Sequence, residues 1–418
     1  MTPVSPQIDG ERLQRQIDEL AAISSAPPPV VTRILFSEAD LRARAWIKNL
    51  CRAAGLMLRE DAVGNIFARW PGTDTSLSPV ATGSHIDAIP NAGRYDGVVG
   101  VLGAIEAIRS LQAARFKPKR GIELIIFTAE EPTRFGIGCL GSRLLAGALS
   151  LDQAASLRDP EGKSLDELRA AAGLGAMDLR QMRLSAKTYS AFVELHIEQG
   201  PLLERENIPI GVVERIAAPS ALRARLTGVG GHAGAMLMPE RHDALLAGAE
   251  IALAVEQAAL TSGSPDSVGT TGVFRIEPGA VNSVPCRAWL EIDLRDTRLS
   301  TRDTALKRIE AAMAAICAKR GVTLESERLN VDAPAVCDAH LVATVVAAGA
   351  ELRLPVKKMI SRAYHDSLFM AQICPTTMIF IPCRGGVSHR PDEYSAPEQI
   401  ANGARVLALT LANLASSE

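Results

Sequence analysis

The segment TGSHIDAIPNAGRYDG, residues 82–97, places His85, Asp87 and Asp96 between a short apolar run and a long apolar one. The chain has only 7 histidines, and two others fall in similar settings. His196 lies in ELHIEQGP, directly after an apolar run. His389 follows MIFIPCRGGVS. Glu130 and Glu131 close the apolar stretch GIELIIFTAEE. Imidazoles and carboxylates that converge in this way are the donor set of a divalent cation site of mixed nitrogen and oxygen ligation. Taken singly, each has a blander reading: a surface or structural histidine, a solvated acidic turn, and for Asp96 a helix N-cap. Together they favour one site, because a plain α/β sheet has no reason to end successive strands in ligand-type residues.

The elements that must position them follow from periodicity. Residues 40–55 have helical spacing and end in glycine. NIFARW and VATGSHID read as strands, GVVGVLGAIEAIRSLQAARF as a long apolar helix capped by Asp96, and GIELIIF as a buried strand. This is a βαβ unit, which implies parallel strands. In such sheets sites form at the carboxyl ends of the strands. From about residue 215 the pattern changes to βαββαβ, with strands of period-two alternation. A helix, the strand TTMIFIPC and a final helix then resume the first pattern. The expected fold class is α/β: a domain with a mostly parallel mixed sheet flanked by helices, plus an inserted ferredoxin-like α+β domain. The expected division is 1–214 and 330–418 for the first domain and 215–329 for the insertion.

Composition narrows the partners. The net charge is −2 with both signs interspersed, so no nucleic-acid or polyanion partner is expected. No apolar stretch approaches the ~20 residues of a membrane span, and the polar N-terminus lacks a signal-peptide core. The 7 cysteines form no CxxC pair and read as reduced and mostly buried. A cytoplasmic protein is the expectation.

These segments, with FTAEEPTRFGIGCLGSR, GGHAGAMLMPERHDA, PGAVNSVP, EIDLRD, YHDSLFMA and SHRPDEYS, resemble the M20 metallopeptidase superfamily over nearly the whole chain. They are most similar to its amidohydrolase branch of N-carbamoyl-L-amino-acid, allantoate and ureidoglycolate amidohydrolases. Within that branch HIDAIPNAGRYDGVVGVLGAIEAI, EEPTRFGIGCLGSRLLAG and ISRAYHDSLFMA most resemble ureidoglycolate amidohydrolases. The resemblance implies two divalent metal ions per subunit, manganese favoured, with zinc, cobalt or nickel as alternatives. His85, Asp96 and His196 would hold one ion, and Asp96, Glu131 and His389 the other, with Asp96 bridging. Asp87 would orient the His85 ring. Glu130 would be the general base and then the acid toward the leaving nitrogen.

The resemblance also implies that the first domain is catalytic and the insertion a lid and dimerisation domain. His232 in GGHAGA would stabilise the oxyanion and reach the neighbouring subunit of a homodimer. Asn282 and Arg295 would contact the substrate amide and carboxylate, and Gln199, Tyr364 and His365 would complete the pocket. Arg295 in DLRD has the simpler reading of a surface ion pair, and Asn282 that of a turn residue. Many carbamoylases have a small residue where this chain has Tyr364. A phenol there favours a small ureido carboxylate, although pocket size discriminates by only ~1–3 kcal/mol per methylene. The expected reaction is hydrolysis of ureidoglycolate to glyoxylate, ammonia and CO2. N-carbamoyl-L-amino acids or allantoate are the alternative substrates. An aminoacylase or dipeptidase ranks lower, as does a non-catalytic binding protein, which would have lost the base or a ligand.

Overall fold

Four strands, Val80–His85, Ile122–Phe127, Ala191–Ile197 and Thr376–Ile381, are buried along their whole length. That is what parallel strands covered on both faces require. In the computed structural model, which describes residues 6–416, they pair in parallel in the order 376–381, 191–197, 80–85, 122–127. The sheet continues antiparallel on one side through Ile66–Trp70 and Met57–Glu60, and on the other through Ile210–Ile216. Helices Val98–Ala113 and Pro397–Ser416 pack on each other and on this sheet. Val98–Ala113 is buried on nearly every side, which explains an apolar sequence without amphipathic patterning. On another part of the sheet Phe67, Ile125, Phe127 and Phe192 pack against Leu140, Leu144 and Leu165.

The chain divides into two compact units. The unit just described comprises residues 1–214, 336–359 and 365–418, and the second comprises 215–335 with 360–364. The return to the second unit at 360–364 is marked by no break in the sequence pattern. The second unit has a four-stranded antiparallel sheet in the order Val268–Glu277, Arg287–Asp296, Ala218–Thr227, Thr323–Val331. Helices Ala244–Leu260 and Leu299–Arg320 cover it with Ile251, Val255, Leu306, Ile309 and Met313. Inward residues of Arg287–Asp296 alternate strictly, as one covered face demands. Element order and strand order are those of a βαββαβ fold. No helix among the described residues is long and apolar enough to cross a membrane.

One local expectation is corrected. Asp96 does not cap the helix Val98–Ala113. The cap position is Gly97, at φ 65°, with no side-chain cap bond. The Asp96 carboxylate is engaged by histidines instead. Gly97 is required because a Cβ there would run into the His85 ring.

Candidate metal centre and active site

Parallel pairing brings the carboxyl ends of four strands to one edge, and the site is assembled there. His85 is the last residue of its strand, and His196 the penultimate residue of Ala191–Ile197. Glu130 and Glu131 follow Ile122–Phe127 by a short turn in which Ala129 takes φ 51°. His389 lies on the loop after Thr376–Ile381 and itself takes φ 60°. Gln199 and Cys139, at φ 54° and 55°, add to this local cluster of left-handed non-glycine residues. Such conformations cost free energy and persist where surrounding contacts fix them.

Asp96 stands at the centre. Its Oδ1 is 3.1 Å from His196 Nε2 and 3.5 Å from His85 Nε2. Its Oδ2 is 3.5 Å from His389 Nε2, whose ring nitrogen is also 3.3 Å from Glu131 Oε1. Two groups therefore share one carboxylate: His85, Asp96 and His196, and Asp96, Glu131 and His389. The potential ligand atoms of each lie within 4.8 Å of one another. A third such group, Glu194, His196 and His365, is buried throughout. There the Glu194 oxygens already accept from the hydroxyls of Ser84 at 2.8 Å and Ser367 at 2.5 Å, so it reads as a hydrogen-bonded support behind His196.

The ring nitrogens facing away from the centre are fixed by backbone carbonyls. His85 Nδ1 lies 3.1 Å from Asp87 O, and His196 Nδ1 lies 2.9 Å from Ile197 O. With Nδ1 donating, each Nε2 directs a lone pair inward, and that of His196 accepts the Gly97 N–H at 3.1 Å. His85 Nε2 is buried and makes no hydrogen bond among the described residues. A buried imidazole nitrogen beside several carboxylates fits a cation site. The electrostatics agree. Burial disfavours the charged forms of His85 and Glu130 alike. The surrounding Glu130, Asp87 and Asp96 nevertheless hold His85 well above its ordinary range. Burial, with Glu131, Asp366 and Asp96, pushes Glu130 well up. Burial works against the Asp96 charge, but His196 and His85 carry its carboxyl well below the usual range. The hydrogen bond to Glu131 lifts His389 to about 9. The carboxylates thus favour positive charge at the centre.

Glu130 is buried beside this pair of groups, with Oε2 3.8 Å from His85 Nε2. Cys139 Sγ lies 3.7 Å from Glu130 Oε1. Asp87 lies beside the His85 ring. Its Oδ1 is 3.6 Å from His85 Nδ1, beyond hydrogen-bond distance, and the ring is met by the Asp87 carbonyl. The carboxylate instead accepts the backbone N–H groups of Glu130 at 3.2 Å and Glu131 at 3.0 Å. Gln199 Nε2 donates to Asp96 Oδ2 at 2.6 Å, and the His365 ring packs on His196 with centroids 4.5 Å apart.

The remaining candidates belong to the second unit. His232 is exposed, on the short strand Gly231–His232 that pairs with Ser283–Val284. Ala233 N–H donates to Asn282 O at 2.8 Å, so His232 and Asn282 become neighbours. The Arg295 guanidinium is gripped by both oxygens of Asp293, at 2.7 and 3.0 Å, and lies 5.6 Å from the Tyr364 ring. The ion-pair reading of Arg295 thus has a structural basis and leaves its substrate role to experiment. Two residues absent from the sequence reading also enter the centre. Ser388 Oγ lies 2.5 Å from Asp96 Oδ2 and 2.9 Å from Glu393 Oε2. Burial and the Asp96 charge push Glu393 up to about 7.

Residues 81–413 match the family described as Peptidase family M20/M25/M40. The chain belongs to that family. Among its M20 relatives is the ureidoglycolate hydrolase of Arabidopsis thaliana, 54% identical over 416 residues, covering 98% of this chain and 87% of that protein. The N-carbamoyl-L-amino acid amidohydrolase of Geobacillus stearothermophilus is 38% identical over 98% of this chain and 100% of its own. The crystal structure of AtUAH in complex with glyoxylate matches this M20 chain with a TM-score of 0.91 and 54% identity, over 98% of this chain and 99% of that one. A second AtUAH structure, with (S)-hydroxyglycine, has the same TM-score and coverage at 53% identity.

Proposed function

We propose that the protein is an amidohydrolase dependent on two divalent cations, manganese favoured, that hydrolyses ureidoglycolate. The observation that carries the reading is the division of Asp96, with one oxygen toward His85 and His196 and the other toward His389. A single carboxylate placed in this way can serve two cations. His85, Asp96 and His196 would hold one, and Asp96, Glu131 and His389 the other. Zinc, cobalt and nickel suit the same nitrogen and oxygen donors. Bound there, the cations supply Lewis acidity that polarises the ureido carbonyl and lowers the pKa of water.

The chain's own groups do the rest. Glu130 takes the proton of the attacking water and returns it to the departing nitrogen. Its neighbour Glu131 is committed to the cation side, so two adjacent carboxylates divide the labour. His232 is assigned to the developing oxyanion, Asn282 to the amide and Arg295 to the carboxylate, with Gln199, Tyr364 and His365 lining the pocket. The substrate is argued from the relatives. Cleavage of ureidoglycolate between its carbonyl and the glycolate-side nitrogen leaves hydroxyglycine and carbamate. Carbamate breaks down to ammonia and CO2, and hydroxyglycine loses ammonia to give glyoxylate. Those two glycolate-side products are the compounds in the two AtUAH complexes.

A homodimer and a cytoplasmic location are part of the same proposal. Leu246, Leu253 and Leu260 are exposed at seven-residue intervals on helix Ala244–Leu260, beside Val268 and Phe274 of an edge strand. The 7 cysteines form no disulfide, as suits a reducing compartment. The deciding experiment strips the protein of metal, returns Mn2+ or Zn2+, and measures hydrolysis of ureidoglycolate, allantoate and several N-carbamoyl-L-amino acids. Metal-dependent turnover fastest on ureidoglycolate is the expected result. Preference for a carbamoyl amino acid would reassign the substrate, and full turnover by the stripped protein would remove the metal from the mechanism.

A further inference from the structure

The two halves of the centre are supported unequally. His85 and His196 sit on buried central strands. His389 sits on a loop, with its side chain 48% exposed. What ties that loop to Asp96 is Glu393, a residue 4% exposed that belongs to no helix or strand. Its Oε1 accepts the backbone N–H of Tyr95 at 2.8 Å and of Asp96 at 3.1 Å. Its Oε2 meets Ser388 Oγ at 2.9 Å, next to His389. Its own N–H closes a turn onto Arg390 O at 3.1 Å. The contact is close-fitted on the facing side too. A Cβ on Gly93 would run into the Glu393 side chain. Tyr95 and Tyr394, the neighbours of Asp96 and Glu393, pack edge to face at 6.0 Å. One carboxylate thus fastens together two segments that are nearly 300 residues apart and that carry Asp96 and His389.

We propose that Glu393 is a positioning residue that sets the Asp96–His389 spacing and thereby governs the Asp96–Glu131–His389 cation position selectively, leaving the His85–Asp96–His196 position to its strands. The inference rests on the two-cation reading above. It uses Glu393 as a hydrogen-bond acceptor for backbone N–H groups, a role that glutamine can also fill through its amide oxygen. Support of this kind around a cation site typically changes affinity by ~10–100-fold when removed.

The test is calorimetric titration of the metal-stripped full chain with Mn2+, with bound metal counted by elemental analysis and folding followed by circular dichroism. The wild-type chain is expected to bind two ions. Glu393→Ala should weaken one of them by ~10–100-fold and leave the other within about threefold. Glu393→Gln should restore both, since its amide oxygen accepts the same two N–H groups. If Glu393→Ala does not fold, Glu393→Asp carries the same expectation, because the shorter side chain cannot span the same contacts. Equal weakening of both ions, or two ions bound as in the wild-type chain, overturns the positioning role. So does a glutamine variant as poor as the alanine one, which would make the negative charge the cause. Failure of the two-cation reading is distinct: the wild-type chain itself would then bind only one ion, and the proposal would fall with it.

Discussion

The carboxylate of Asp87 holds the backbone of Glu131, accepting its N–H at 3.0 Å while also accepting that of Glu130 at 3.2 Å. The Asp87 carbonyl meanwhile fixes the ring of His85 at 3.1 Å. One residue therefore aligns the end of one strand with the turn after its neighbour. Loss of the carboxylate frees two buried N–H groups and lets the Glu130–Glu131 turn move, without touching the His85 contact made by the main chain. Asp87→Ala should therefore lower kcat and metal affinity by ~10–100-fold while the histidine side of the centre still loads. Mn2+ titration together with steady-state kinetics checks this. An unchanged metal affinity would mean that the turn is held by other contacts.

Glu130 is the second test. Its side chain is buried at the edge of the centre, and in the proposed mechanism it carries a proton in both directions. Glu130→Gln keeps the shape and removes the proton-carrying group. The expected loss in kcat is ~10²–10⁴-fold with metal content preserved. Near-normal turnover in the metal-loaded variant would move the base elsewhere.

Much of this centre is legible in the sequence because parallel strands leave their chemistry at one edge. His85, Glu130, Glu131, His196 and His389 each follow an apolar run, and the fold need only pair those runs to bring them together. The βαββαβ order is legible for a similar reason, since period-two strands such as 287–296 announce a single covered face. What the sequence hides are bonds from a side chain to a distant backbone. Asp87 on the Glu131 N–H and Glu393 on the Tyr95 and Asp96 N–H groups depend on three-dimensional approach alone. Asp96 reads as a helix cap because Asp before an apolar helix ordinarily is one. Only the converging histidines displace that role. Glu393 had a faint signal, a further acidic residue four positions after His389, but an acidic turn is usually solvated.

The third test concerns assembly. Leu253 and Leu260 are 66% and 75% exposed, a cost in water that a second copy would remove. The double variant Leu253→Glu/Leu260→Glu puts charge on that face and leaves the core positions Ile251 and Val255 intact. Sedimentation velocity should find the wild-type chain dimeric and this variant monomeric at micromolar concentration. A wild-type chain that is monomeric and fully active at assay dilution would remove the dimer from the reading.

The last test separates the roles assigned to His232 and Arg295. His232 is exposed, its Nδ1 accepting the Gly234 N–H at 3.1 Å, so Nε2 is the nitrogen that carries the donor hydrogen. A donor that meets charge only as it develops on the carbonyl oxygen stabilises the transition state more than the bound substrate. His232→Ala should then lower kcat by ~10²–10³-fold with little change in KM. Arg295 is assigned a group that is charged before and after the reaction, so its loss should act on binding. Its planar fork is already oriented by Asp293, at 2.7 and 3.0 Å, and lysine cannot reproduce that bidentate geometry. Arg295→Lys should therefore behave almost as Arg295→Ala does, with KM for ureidoglycolate raised ~10-fold or more and kcat changed less. The comparison that decides is kcat and KM for the three variants on one metal-loaded preparation. If His232→Ala raised KM alone, the oxyanion role would pass to another donor. If Arg295→Lys matched the wild-type chain, Arg295 would be only the partner of Asp293, and the carboxylate would have to be bound elsewhere.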